Sequence, residues 1–256
     1  MSVQQIQPKL TLVGAGPGDK DLISIKGMKA LQAADVILYD ALVNPELLDH
    51  ATNAKKVFVG KRAGHHYLPQ EEINQLIIDF AFSHGHVVRL KGGDPLVFGR
   101  GQEEINAASA FGIQVEIIPG ISSVTSAPAS IGIPVTCRGV SESFWVITGT
   151  TQSNSLSKDL PLSAQSSATV LILMGLGKLS LITQLFSMYR SKDEPVAIVQ
   201  NATWDNQQFV TGTLSDIEAK VREQQIGTPG IIIIGEVVKH RSPLEILKAN
   251  QLSQPE

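Results

Sequence analysis

Two short runs set bare backbone beside a carboxylate: Gly14-Ala15-Gly16-Pro17-Gly18-Asp19 and Lys91-Gly92-Gly93-Asp94-Pro95. Glycine lets main chain approach a ligand closely, and open α/β sheets bind ligands at bends that follow the carboxyl ends of strands. A dinucleotide is the obvious occupant, since Asp40 ends the second predicted strand where a ribose-binding acid would sit. Two features oppose it. The spacing is GxGxG rather than GxGxxG, and Pro17 removes an N–H from the turn that would cradle a pyrophosphate. Asp19 and Asp21 then add negative charge where phosphate needs positive. At the second bend, Gly92 and Gly93 offer main chain while Asp94 puts a carboxylate at the mouth. That chemistry suits a sulfonium cation with an adjacent amino acid group, not a polyphosphate. Either run alone is also readable as a tight turn without a ligand; two at strand ends favour a site.

The elements that would carry these bends are legible from hydrophobic period. Leu10–Val13, Val36–Tyr39, Val57–Val59, Val87–Leu90 and Val115–Ile118 read as strands. Ser24 is placed to cap a helix bearing Ile25, Met28 and Leu31. Pro69 to Glu72 opens another, in which Ile73, Leu76, Ile77 and Phe80 share a face and Gly85 is the stop. Gln102–Phe111 is a third. Strands alternating with helices predict a mainly parallel sheet. The pattern restarts with strands at Phe144–Thr148, Val170–Leu173, Val196–Val199, Phe209–Thr211 and Ile231–Ile234, and helices at Leu179–Tyr189 and Leu214–Gln224. The third and fourth of these strands lack a helix between them, which predicts an antiparallel pair and a mixed sheet. The expected architecture is two α/β domains, 8–120 and 121–242, meeting near Pro119-Gly120. The Ser- and Gln-rich stretch Thr151–Ser167 reads as an exposed loop.

Composition narrows the classes. With 256 residues and 43% hydrophobic content the chain can bury a substantial core. A net charge of −3 gives no general attraction to nucleic acid or anionic membrane. Met1 to Gln5 lacks the features of a signal peptide, no apolar run is long enough for a bilayer, and a single Cys137 allows no internal disulfide. A cytoplasmic protein is expected. His65-His66 has no evident third ligand, so no metal site is expected.

The series GAGPGD, VILYDALV, VGKRAGHH, PQEEIN, VVRLKGGDPLVFGRGQEE, IIPGISSVTSAPASIGIP, LILMGL, AIVQNAT and IIIIGEVV, in order from about Leu10 to Val238, resembles the tetrapyrrole methyltransferase family. Within it, VGKRAGHH and RLKGGDP-x-VFGRG-x-EE resemble the uroporphyrinogen-III C-methyltransferases most specifically. The resemblance implies a homodimer of two-domain subunits with S-adenosylmethionine in a cleft between the domains. It implies transfer of methyl to two pyrrole carbons of uroporphyrinogen III, through precorrin-1 to precorrin-2, for sirohaem or cobalamin.

Matching positions imply a donor site of Pro17, Gly92, Gly93, Asp94, Val97, Ser122 and Ser123, joined by Met174 and Ala202 from the second domain. Asp40 is the implied proton acceptor and Lys61 a proton donor. The ring's acetates and propionates call for planar bidentate cations. Arg62, Arg100 and Arg138, in loops after strands or glycines, are the candidates, and Glu103 stands one turn beyond Arg100 to orient it or accept a pyrrole N–H. The chain departs from the family pattern at Cys137 (usually His), Ala41 (usually Arg), Ala202 (usually Gly) and Gly149-Thr150-Thr151 (often Gly-His). These changes affect the expected ring contacts more than the donor bends. Three rivals stand beside this reading: a later precorrin methyltransferase, a non-catalytic tetrapyrrole- or cofactor-binding protein, and an NAD-linked dehydrogenase.

Overall fold

The computed structural model describes residues 7–60 and 68–242. Contacts divide the chain into two compact units, and the chain crosses between them more than once. Among the described residues, the first comprises 7–60, 68–126 and Asn201–Asn206; the second comprises 127–200 and 207–242.

In the first unit the strands are β1 (Lys9–Gly14), β2 (Val36–Tyr39), β3 (Lys55–Phe58), β4 (His86–Lys91) and β5 (Gln114–Ile118). They form one sheet in the order β3-β2-β4-β1-β5, with every pair parallel. Helices cover both faces, as a parallel sheet requires. Leu10, Leu12, Val36, Leu38 and Val87 pack under α2 (Gln70–His84) and α3 (Gly101–Ala110) through Ile73, Ile77, Ala81 and Ala108. Val13, Ile37, Val88, Leu90 and Ile118 face the other way, against Leu31 of α1 (Ile25–Gln32) and Leu47 and Leu48 of a 3₁₀ turn. Ser24 caps α1 as the sequence predicts, its hydroxyl accepting from Gly27 N–H at 3.0 Å. A helix not foreseen, α4 (Ser123–Ser130), follows β5.

The second unit has β6 (Phe144–Thr148), β7 (Thr169–Leu173), β8 (Pro195–Gln200), β9 (Gln208–Thr213) and β10 (Gly230–Ile234) in the order β6-β7-β10-β8-β9. Only β6 and β7 are parallel, and β8 pairs antiparallel with β9, which makes the sheet mixed as expected. Ile231–Ile234 lies centrally, and its unbroken apolar run is buried on both faces. Helices α6 (Leu179–Ser187) and α7 (Ile217–Glu223) supply Ile182, Phe186 and Ile217 to the core.

One expectation fails. Thr151–Ser167 is not loop throughout: α5 (Leu160–Gln165) occupies its later part and buries Leu160, Ser163 and Ala164. The cause is tertiary. Arg190, beyond α6, donates to the carbonyls of Ser163, Ala164, Ser166 and Ala168 at 2.7–3.1 Å, satisfying groups that a short helix end would otherwise leave bare.

Candidate active site

Three bends meet at the carboxyl end of the parallel sheet. Gly16 and Gly93 exchange backbone hydrogen bonds, Gly93 N–H to Gly16 O at 2.7 Å and Gly16 N–H to Gly93 O at 3.3 Å. Gly120 lies against both: a Cβ there would overlap Gly93 O, and a Cβ on Gly14 would come within 2.7 Å of the same oxygen. Backbone thus packs on backbone, which only glycine permits. Asp94 pins the junction, its Oδ1 accepting from Leu96 N–H at 2.8 Å and Oδ2 from Gly120 N–H at 3.1 Å. This carboxylate is therefore first a brace between two bends; each oxygen keeps a lone pair for a ligand.

The first bend has a second brace, which the sequence reading missed. Asn201–Asn206 returns to the first unit, where Thr203 Oγ1 accepts from Asp19 N–H at 3.0 Å and the Trp204 indole covers Gly18. Asn44 donates to Gly18 O at 2.9 Å. Partners 26 and 184 residues away in sequence leave no local signal. Ala202 lies in this returning segment, so it groups with the first unit and not, as expected, with the second.

Beyond Asp94 the chain turns sharply, with Phe98 and Arg100 in the left-handed region at φ 52° and 59°. Such conformations cost on the order of 1–3 kcal/mol each and persist where surrounding contacts impose them. Leu96, Val97 and Phe98 are exposed here. Arg100 grips Glu103 through Nε–Oε1 and Nη2–Oε2 contacts of 2.7 Å, and that hydrogen bond holds the Glu103 carboxyl below its ordinary range. The expected orienting of Arg100 by Glu103 has this geometric basis.

Asp40 follows β2. Its Oδ1 accepts from Leu42 N–H at 3.1 Å, and its Oδ2 lies 3.5 Å from Arg89 Nη2. Gly92 abuts Leu42, where a Cβ would come within 2.6 Å of Leu42 Cβ, so the Asp40 bend and the Gly92-Gly93 bend are neighbours. Behind them lies a buried group of Arg89, Lys91, Glu104 and Gln70 that the sequence reading did not single out. Burial and the neighbouring Arg89 lower the Lys91 ammonium from its ordinary value, against the opposing pull of Glu104.

The first unit thus brings together Pro17, Asp40, Gly92, Gly93, Asp94, Val97, Arg100 and Glu103, with Ser122 and Ser123 at the start of α4. Met174 and Arg138 belong to the second unit. Met174 is exposed, with φ 54°, and its carbonyl accepts from Thr150 Oγ1 at 2.9 Å. Arg138 is exposed at the tip of a turn closed by paired hydrogen bonds between Cys137 and Ser141. Cys137 is half-buried. Lys61, Arg62 and His65-His66 lie outside the described residues. Among the described residues, no cluster of His, Cys, Asp or Glu is placed to hold a metal, and no helix is long and apolar enough to cross a membrane.

The model of the tetrapyrrole (corrin/porphyrin) methylases matches residues 9–218. A Methanocaldococcus jannaschii protein named uroporphyrinogen-III C-methyltransferase is 47% identical over 233 residues, 90% of this chain and 96% of its own. The crystal structure of uroporphyrin-III C-methyl transferase from Thermus thermophilus, complexed with S-adenyl homocysteine, is similar at a TM-score of 0.78. Its identity is 36%, with 91% of this chain and 99% of that one covered. A cobalt precorrin-4 methyltransferase is similar at 0.81 with 29% identity, over 90% and 95% of the two chains. Family match, sequence identity and fold agree: the chain belongs to the tetrapyrrole methylase family.

Proposed function

We propose that this protein methylates uroporphyrinogen III at two pyrrole carbons in succession, giving precorrin-1 and then precorrin-2, with S-adenosylmethionine as donor. The observation that carries the reading is the junction of glycine bends around Asp94, in a chain 47% identical to a protein named for this activity. The residues present fit such a donor. A Cβ on Gly93 would have Ser123 N at 3.9 Å and Ser122 Cα at 4.0 Å as its nearest atoms, so an open face remains beside bare backbone. The Ser123 N–H that begins α4 and the Ser122 and Ser123 hydroxyls suit a carboxylate, and Asp94 suits a cation.

Pro17, Gly92, Gly93, Asp94, Val97, Ser122, Ser123, Met174 and Ala202 are the residues assigned to hold the donor. S-adenosylmethionine supplies a methyl group on a sulfonium that is already a good electrophile. The protein's task is then alignment, which can lower a barrier by ~7–11 kcal/mol. Arg62, Arg100, Glu103 and Arg138 hold the substrate's carboxylates and pyrrole N–H groups, Asp40 accepts the proton released as the methylated ring rearranges, and Lys61 donates one. The working form is a cytoplasmic homodimer.

A later precorrin methyltransferase is the second reading, favoured by the TM-score of 0.81 to a cobalt precorrin-4 methyltransferase. Incubation with labelled donor and either enzymatically made uroporphyrinogen III or precorrin-2, followed by product mass, separates the two. Two methyl groups added to uroporphyrinogen III are expected. Methylation of precorrin-2 alone would favour the second reading, and donor binding without turnover of either would leave a binding protein.

A further inference from the structure

Along β4, Arg89 and Lys91 alternate with Val88 and Leu90, so both charged side chains project from the sheet face that α2 and α3 cover. Each is only 4% exposed, and Glu104 of α3 is fully buried. One oxygen of Glu104 receives three donors: Arg89 Nε at 3.0 Å, Lys91 Nζ at 3.0 Å and Gln70 Nε2 at 3.3 Å. Two buried cations against one buried carboxylate leave positive charge uncompensated, and an unpaired ion in a protein interior costs several kcal/mol. Asp40 supplies the missing negative charge, its Oδ2 standing 3.5 Å from Arg89 Nη2. The guanidinium cannot follow Asp40 if it moves. Its Nε is taken by Glu104, and its Nη1 donates to Leu90 O at 2.8 Å and Leu38 O at 3.3 Å. Both carbonyls belong to the sheet.

We propose that Arg89, locked by Glu104, is a positioning residue for Asp40: it fixes where the carboxylate stands at the end of β2, so that its free lone pairs face the reacting ring. The proposal rests on Asp40 being the proton acceptor. Arg89 does not itself touch substrate. A planar fork tied on three sides is suited to this work in a way that a lysine ammonium is not.

The test compares Asp40→Asn, Arg89→Lys and the double variant, reading kcat with uroporphyrinogen III and calorimetric affinity for S-adenosylhomocysteine. Arg89→Lys is expected to lower kcat about tenfold, a fraction of the loss that removing a general base brings, and to shift S-adenosylhomocysteine affinity less than about twofold. The double variant should be no slower than Asp40→Asn, because a positioning residue has nothing left to position. Losses that multiply, or kcat and affinity that fall together, would overturn the proposal in favour of a structural role. If Arg89→Lys does not fold, Glu104→Gln serves instead; it keeps the side-chain shape and loosens the guanidinium, and a wild-type kcat there would overturn the idea equally. The two levels separate cleanly. Normal turnover by Asp40→Asn removes the base itself, whereas a slow Asp40→Asn beside a wild-type Arg89→Lys removes only the positioning.

Discussion

Arg100 and Glu103 are each nearly half exposed, so their ion pair contributes at most about 1 kcal/mol to stability. What the pair fixes is direction. Glu103 occupies Nε and Nη2 and leaves the guanidinium in one orientation on a backbone already held at φ 59°. For an anionic ring, a pre-aimed fork loses little freedom on binding. Arg100→Ala is therefore expected to raise KM for uroporphyrinogen III about tenfold or more, the worth of one or two charge-assisted hydrogen bonds. Its unfolding temperature should barely change. Steady-state kinetics beside a melting curve checks both, and an unaltered KM would take Arg100 out of the substrate site. The pairing itself was readable in sequence, because Arg100 and Glu103 are near neighbours. The Arg89–Glu104 group was not readable: nothing in Val88-Arg89-Leu90-Lys91 announces that its charges point inward until α3 covers them.

Among elements, the junction of bends depends on three strands ending level with one another. Gly120→Ala would push a methyl group into Gly93 O, and backbone cannot rotate aside as a side chain can. A stability loss of at least ~2 kcal/mol is expected, with loss of S-adenosylhomocysteine binding, measurable by denaturant titration and calorimetry. Normal binding by this variant would mean the bends tolerate separation. A second brace lies on the sheet's far edge, where Glu116 of β5 meets Lys26 of α1 at 2.7 Å and Lys9 of β1 at 2.8 Å. Those hydrogen bonds hold its carboxyl down to about 2. A depressed carboxylate stabilises above the unfolded-state value and loses that contribution as pH falls towards 2. Glu116→Gln should thus cost up to ~1 kcal/mol at pH 7, discounted for solvent exposure, and almost nothing near pH 2. Parallel urea titrations at both pH values would show it. Strand and helix order was legible because period and glycine stops are local. Helix α5 escaped because its support comes from Arg190, and α4 because Ser122-Ser123-Val124-Thr125 and an internal Pro128 imitate a loop.

For the whole molecule, the proposed homodimer predicts a sedimenting species of twice the 27.5 kDa chain mass at micromolar concentration. Its unfolding temperature should rise with protein concentration. A concentration-independent monomer would reject the dimer without touching the methyl-transfer chemistry. The chain's partition carries a further consequence. Asn201–Asn206, set between the paired strands β8 and β9, supplies Thr203 and Trp204 to the GAGPGD bend. A gene truncated after Ser126 would encode every strand of the first sheet yet omit the clamp on its first glycine bend. Such a fragment should show weak grip on S-adenosylhomocysteine, and the complementary piece, added in trans, is the reagent to restore it.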